Sequence, residues 1–273
     1  MTELTDAHGI ACARLHVFQE DGKAWALFVS WKEGVEGLPD ERTFHEAIKS
    51  SVAECEEKGA LYIDSRVITA TEGVDEVLTT ARATLHRNSL SASGFKRGED
   101  RVEYRMDLAN ALTALDTGKG ESELVWNCVD TESETNLARA ADLFCQASEG
   151  DPTSHPDKDT MGFLRVLIEE KETVQAPERL QIGMFGNDPA AVLALQVYPS
   201  DGWSTIYYLG VLPAFRGRGF GAAAMLQGIR SLKAMGGKTY HDGTGSGNAA
   251  ARALFARLGR PPFRVMEEWR LKK

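Results

Sequence analysis

A β-rich run over 204–211 passes through a short loop that carries Arg216, Gly217, Arg218, Gly219 and Gly221, and an amphipathic helix pattern begins there at once. A tight turn needs one glycine. Three at alternate positions strip the Cβ atoms from a stretch of backbone, so an anion can reach successive N–H groups at the positive end of the helix. Arg216 and Arg218 add fixed charge beside them. The pattern predicts a diphosphate cradle, floored by Gly217, Gly219 and Gly221, and it obliges the fold to deliver a strand straight into a helix.

Composition limits what surrounds this loop. The 273 residues are 42% hydrophobic and 26% charged, which predicts soluble globular structure throughout most of the chain. Lys and Arg number 31 against 40 Asp and Glu, and a net charge of −9 argues against nucleic acid as a partner. Apolar runs such as 190–197 fall far short of the roughly 20 residues that span a bilayer, so no membrane association is expected. The acidic start, Glu3 and Asp6, lacks the positive region of a secretory signal, and a cytoplasmic location is expected. Cys12, Cys55, Cys128 and Cys145 are too scattered for a disulfide framework. The six histidines include no pair spaced to hold a metal, so none is expected.

The order of elements suggests two domains, 1–116 and 117–273. In the first, β-rich runs at 14–18 and 24–31 flank Asp21-Gly22, a hairpin signal. Asp40 can cap a helix buried through Phe44, Ile48, Val52 and Cys55, and a strand, a second helix and a strand over 101–108 follow. The aperiodic 117–123 reads as a linker. Beyond it come a strand at 124–129, helices near 136–147 and 161–170, strands at 180–185, 190–198 and 204–211 joined by turns, the loop and its helix, a strand at 238–242, a helix at 248–258 and a last strand at 263–271. The three central strands form an antiparallel meander. The pattern G-x-x-Y-x-D recurs at Gly59 to Asp64 and Gly237 to Asp242, which suggests a diverged duplication.

Gly219, Gly221 and Ala224 also fit the dinucleotide fingerprint G-x-G-x-x-A, with Asp242 placed for a ribose. Residues 212–218 separate that fingerprint from its strand, and the strands before it are hairpins rather than strand–helix alternations. The chain instead resembles the GNAT superfamily of N-acyltransferases through Gly210-Val211-Leu212-Pro213, Arg216-x-x-Gly219-x-Gly221, Asn248, Ala250, Leu254, Leu258 and Gly259. The resemblance covers about 123–273. It implies an α+β fold with a mixed, mostly antiparallel sheet flanked by helices, in a tandem arrangement with a truncated first unit. It also implies acetyl transfer from acetyl-CoA to a small-molecule or peptide amine by direct attack in a ternary complex. Leu209, Val211, Leu212, Arg216, Gly217, Arg218, Gly219, Gly221, Ala222 and Asn248 would bind the acyl-CoA, and a backbone N–H of Val211 or Leu212 would receive the oxyanion.

Phe255 stands where many members have an acidic tyrosine, and Thr205 where many have a glutamate. Tyr207 and Tyr208, on one strand and expected to face opposite ways, and His241 on the next, are the substitutes for acid and base. A CoA-binding module without turnover is the alternative reading. Asn248 serves equally well as a helix cap. Acids over 136–171, among them Asp142, Glu149, Asp151, Asp157, Asp159, Glu169 and Glu170, favour a cationic amine, or form a solvated surface. The first half has Glu33 and Glu36 where the loop would be, so it reads as a degenerate unit without cofactor or as an unrelated small α+β domain. The whole is expected to be a monomeric pseudo-dimer or a homodimer.

Overall fold

A computed structural model describes residues 1–21, 24–115, 123–150 and 159–272. Gly22 of the expected hairpin tip, most of the expected linker, and Asp151 and Asp157 lie outside the described residues.

The chain begins with β1 (Thr2–Thr5), β2 (Ala11–Asp21) and β3 (Ala24–Trp31), followed by α1 (Glu41–Glu57), β4 (Tyr62–Thr71), α2 (Glu76–Ala92) and β5 (Lys96–Asp107). It continues through α3 (Leu108–Leu115), β6 (Leu124–Cys128), α4 (Glu134–Ala147), α5 (Thr160–Glu169), β7 (Leu180–Phe185), β8 (Asp188–Tyr198) and β9 (Trp203–Val211). It ends with α6 (Phe220–Ala234), β10 (Thr239–Gly245), α7 (Ala249–Ala256) and β11 (Arg264–Lys272). The helix starts are written locally: Asp40, Asp75, Ser133, Asp159 and Asn248 each accept a backbone N–H three residues on, a cap that contributes about 1 kcal/mol. β1 and α3 were not apparent from the sequence pattern.

Two compact units result, Met1–Val102 with Pro262–Lys273, and Glu103–Pro261. This division differs from the expected boundary at 116 for two physical reasons. The last strand, β11, pairs antiparallel with β4 from Arg264↔Thr71 to Lys272↔Tyr62, so its hydrogen bonds lie in the first unit. Helix α3 buries Leu108, Ala111 and Leu115 and packs on α6, which draws 103–115 into the second unit.

In the first unit the strand order is β1-β2-β3-β4-β11. One side is covered by α1 and α2, whose Phe44, Ile48, Leu85 and Leu90 meet Leu15, Leu27, Ile63 and Trp269 in a single core. Glu267 on β11 is buried; burial would push its carboxyl up, but hydrogen bonds from Arg87 and Trp269 and the charge of Arg97 outweigh this and hold it below the usual carboxylate range. Parallel pairing of β3 with β4 covers only Ala24–Leu27. Where β3 ends, Arg82 of α2 donates to the carbonyl oxygens of Lys32 and Val35 and lies over the Trp31 ring at 5.3 Å. The segment with Glu33 and Glu36 is therefore fastened by a buried arginine rather than opened as a cradle.

His86, one turn further along α2, is fully enclosed, 3.3 Å from Ser65 Oγ, and burial lowers its pKa from 6.5 to about 3. Its neutral form is the one folded into the core. As pH falls below 6.5 the unfolded chain takes up a proton that the native state refuses, so stability is lost on acidification toward pH 3. The expected slope is about 1.4 kcal/mol per pH unit from this group. Urea unfolding at about pH 7 and about pH 5 should show a markedly smaller pH dependence in His86→Leu than in the unsubstituted chain; equal slopes in the two would refute the assignment.

In the second unit the order is β10-β9-β8-β7-β6; β7 to β9 are antiparallel as the meander predicts, and β6 joins β7 antiparallel as well. Helices α4 and α5 form one apolar cluster with this sheet through Leu137, Phe144, Leu164, Leu180 and Val192. On the opposite layer, Gly228 of α6 lets the helix press onto Ile206, whose Cδ1 would lie 2.7 Å from any Cβ there. Antiparallel hairpins ahead of the glycine loop remove the strand–helix alternation on which a dinucleotide site depends. No helix among the described residues is long and apolar enough to cross a membrane.

Candidate functional site

Strand β9 is held by β8 along most of its length but by β10 only at Trp203 and Ser204, opposite Thr239 and Tyr240. From Thr205 onward the two parallel strands part. The cause is an extra residue on β9: between the pairs Ala194↔Tyr208 and Gln196↔Thr205 it advances three positions while β8 advances two. This bulge at Ile206-Tyr207 bends β9 away from β10. It also overrides the expected alternation of Tyr207 and Tyr208. Both rings meet Phe163 of α5, at 5.6 and 6.4 Å.

Leu212 N–H donates to Ala190 carbonyl oxygen at 2.9 Å, continuing the ladder with β8. Hydrogen-bonded pairs alternate along an antiparallel ladder, so the N–H groups of Leu209 and Val211 turn the other way, into the gap left by β10. The N–H of Leu212, expected as an oxyanion donor, is thus already engaged, whereas those of Val211, the other expected donor, and of Leu209 face the gap.

After a 3-10 turn, Pro213–Phe215, the loop reaches α6. Gly217 and Gly219 have φ of 78° and 82°, a region that side chains with a Cβ rarely adopt. A Cβ on either would meet nothing within 4 Å, so the space before these N–H groups is open. None of the N–H groups of Gly217 through Gly221 donates to a backbone carbonyl among the described residues. Ala222 does, to Gly219 at 3.0 Å, and closes the first turn, so its N–H, expected to help bind the acyl-CoA, is already engaged.

The arginines turn out to be structural first. Arg216 donates to Val211 carbonyl oxygen at 3.0 Å and to Ala147 carbonyl oxygen at 3.1 Å, tying the loop to the ends of β9 and α4. The Arg218 guanidinium lies over Phe185 and Phe215 at 5.6 and 5.5 Å. Both remain exposed, so their charge still reaches an anion at the cradle.

The gap and the cradle form one cavity of about 440 Å³, walled by Tyr208 to Val211, by Arg216, Gly217 and 219–221, and by 247–251 with Leu254. Asn248 lines it while capping α7 through Ala251 N–H at 3.0 Å, so cap and wall are the same residue. Gly210 has to be glycine: a Cβ would fall 2.7 Å from Ala147 Cβ and 2.8 Å from Tyr208 Cε1.

Of the three side chains considered for acid–base work, the cavity brings in Tyr208 alone. Its hydroxyl is 2.7 Å from Ser148 Oγ. Tyr207 is exposed and outside the lining residues. His241 stands against Trp203, at the opposite end of β9, with Nε2 3.4 Å from Glu103 Oε2. Asp242 accepts from Tyr240 hydroxyl at 3.0 Å and from its neighbour Gly243, which engages the carboxylate once assigned to a ribose. Phe255 stacks on Tyr104 at 4.5 Å and takes no part in the wall. Ser148, which nothing in the sequence singled out, is a polar partner of Tyr208, the one phenol among the described lining residues. Asp159 is occupied as the cap of α5. No group of three or more His, Cys, Asp or Glu among the described residues forms a metal site.

Residues 142–259 match the family model for the acetyltransferase (GNAT) family. A mycothiol acetyltransferase from Beutenbergia cavernae is 28% identical over 160 residues, 58% of this chain and 51% of that protein, so the match spans about half the length of the curated relative. Among solved structures, a GCN5-related N-acetyltransferase from Sphaerobacter thermophilus superposes with a TM-score of 0.65 at 13% identity, covering 97% of this chain and 78% of that one. A tandem GNAT protein from the clavulanic acid biosynthesis pathway gives 0.63 at 12% identity, covering 97% and 80%. At such identities the structural likeness speaks for the fold alone, a mixed sheet in two units.

Proposed function

We propose that this chain, whose residues 142–259 match the model of the acetyltransferase (GNAT) family, transfers an acetyl group from acetyl-CoA to a primary amine of a small molecule or peptide, by direct attack in a ternary complex. The supporting observation is the opening between β9 and β10, which runs without interruption into the N–H cradle at α6. An extended pantetheine arm pairs with the free edge of β9, and the diphosphate rests on Gly217 to Gly221 under the positive end of α6. Arg216 and Arg218 add their charge. The acetyl-CoA supplies an electrophilic thioester carbonyl. N–H groups of Leu209 and Val211 face the gap and stabilise negative charge on its oxygen, a contribution of order 100-fold for one good donor.

Tyr208 protonates the departing sulfur, in the role that Phe255 cannot fill. Thiolate is a tolerable leaving group, so the expected loss in Tyr208→Phe is moderate: kcat lower by about 10–100-fold with KM for acetyl-CoA nearly unchanged. Release of free thiol from acetyl-CoA across a panel of primary amines tests the whole reading. Absence of turnover with every amine, in a chain that still binds CoA, would favour a CoA-binding module instead, the reading that Phe255 and Thr205 keep in play. NADH binding in place of CoA would contradict both.

A further inference from the structure

We propose that Ser148 is a positioning residue that holds Tyr208 in the cavity wall and then stabilises it after proton transfer, its single hydroxyl hydrogen switching between two acceptors. The inference rests on the acyl-transfer reading of the site and adds a residue to it. Ser148 is the C-cap of α4, and its Oγ donates to the Phe144 carbonyl oxygen at 2.9 Å. The same Oγ lies 2.7 Å from the Tyr208 hydroxyl. A serine hydroxyl has one hydrogen and two acceptor lone pairs, so with its hydrogen on Phe144 the short contact has Tyr208 as donor. In the resting arrangement the Tyr208 proton is therefore stored against α4.

During transfer the Tyr208 O–H bond breaks and an S–H bond forms on the departing CoA sulfur, leaving the electron pair on the phenolate oxygen. Ser148 Oγ–H then rotates from Phe144 to that oxygen, a turn about one bond at an oxygen–oxygen distance already suited to a charge-assisted hydrogen bond. Phe144 carbonyl oxygen is not stranded, because Ser148 N–H also donates to it at 3.1 Å. Solvent returns a proton to the phenolate after the products leave. The surroundings keep both oxygens in register. Gly210 has no Cβ to separate Ala147 from Tyr208, Arg216 fixes the Ala147 carbonyl, and the Phe144 ring lies 5.1 Å from that of Tyr208.

The full chain with ring-13C-labelled tyrosine, saturated with CoA, allows Tyr208 to be followed through a pH titration, its signal assigned by its loss in Tyr208→Phe. Ser148→Ala removes the donor to the phenolate, so the Tyr208 midpoint should rise by roughly one pH unit relative to the unsubstituted chain, and Ser148→Thr should bring it back. Thiol release from acetyl-CoA with the fastest amine of the panel should fall by about 3–10-fold in kcat for Ser148→Ala at constant KM, and recover in Ser148→Thr. A midpoint indifferent to Ser148→Ala, or one that Ser148→Thr fails to restore, overturns the switch while leaving the acyl-transfer reading intact. A Tyr208→Phe chain that releases thiol at the unsubstituted rate overturns the acid role of Tyr208 and the switch together.

Discussion

Gly219→Trp is expected to lower CoA affinity by about 100-fold or more, the loss of two or so charge-assisted hydrogen bonds from a diphosphate. Gly219 stands at the N-terminus of α6 with φ of 82°, and the space a side chain would enter is the space in front of the free N–H groups. The substitution also forces a Cβ into left-handed backbone at a cost of about 1–2 kcal/mol, which should appear as a modest fall in thermal midpoint. Gly236 separates the two effects. It follows the other end of the same helix, has φ of 89° and likewise meets nothing within 4 Å, so Gly236→Trp should carry a similar strain and leave CoA binding alone. Calorimetric titration of both variants decides the matter: equal affinities in Gly219→Trp and Gly236→Trp would remove the cradle from the site.

Ending the chain at Pro261 should be more damaging still. It deletes β11 and takes Met266, Trp269 and Leu271 out of buried positions. Losing three large side chains at about 2–3 kcal/mol of burial each approaches the whole stability of an ordinary domain. Arg87 and Arg97 also lose Glu267, and the β4 edge is bared over nine residue positions, from Tyr62 to Thr71 with one bulge. Residues 1–102 are expected to lose hydrogen-exchange protection and to aggregate. Native-like protection of Ile63 and Val67 in the shortened chain would show that β11 is dispensable. A milder variant, Trp269→Ala, should cost about 3–5 kcal/mol in urea unfolding.

The contrast between these two sites bears on what can be read from residues alone. The glycine loop was legible because its pattern is local: three glycines, two arginines and a helix start lie within a few residues. The caps at Asp40 and Asn248 and the β7–β8–β9 meander were legible for the same reason. The bulge at Ile206-Tyr207 was not, because it exists only relative to β8, and nothing in Tyr207-Tyr208 announces that both rings turn to Phe163. Its consequence, the parting of β9 from β10, is what creates the cavity. The pairing of β11 with β4 was equally hidden. An alternating strand such as 264–272 states which face is buried but not which edge it joins, and a partner some 200 residues away leaves no local mark. His241 was placed at a strand end by pattern, whereas β10 continues to Gly245 and carries it mid-strand against Trp203.

The pairing of β11 with β4 also sets an order of events during synthesis. Domains made first usually fold first, at translation rates of about 5–20 residues per second. Here β4 emerges from the ribosome roughly 10–40 s before β11 exists to pair with it. Throughout that interval the unit begun first waits with a strand edge open, and the second unit, whose own residues end at Pro261, has all of its parts sooner. The earliest-made half is thus the last to be finished, and a chain cut short just before Arg264 carries every residue of its second unit while its amino-terminal unit still lacks the strand that covers the β4 edge.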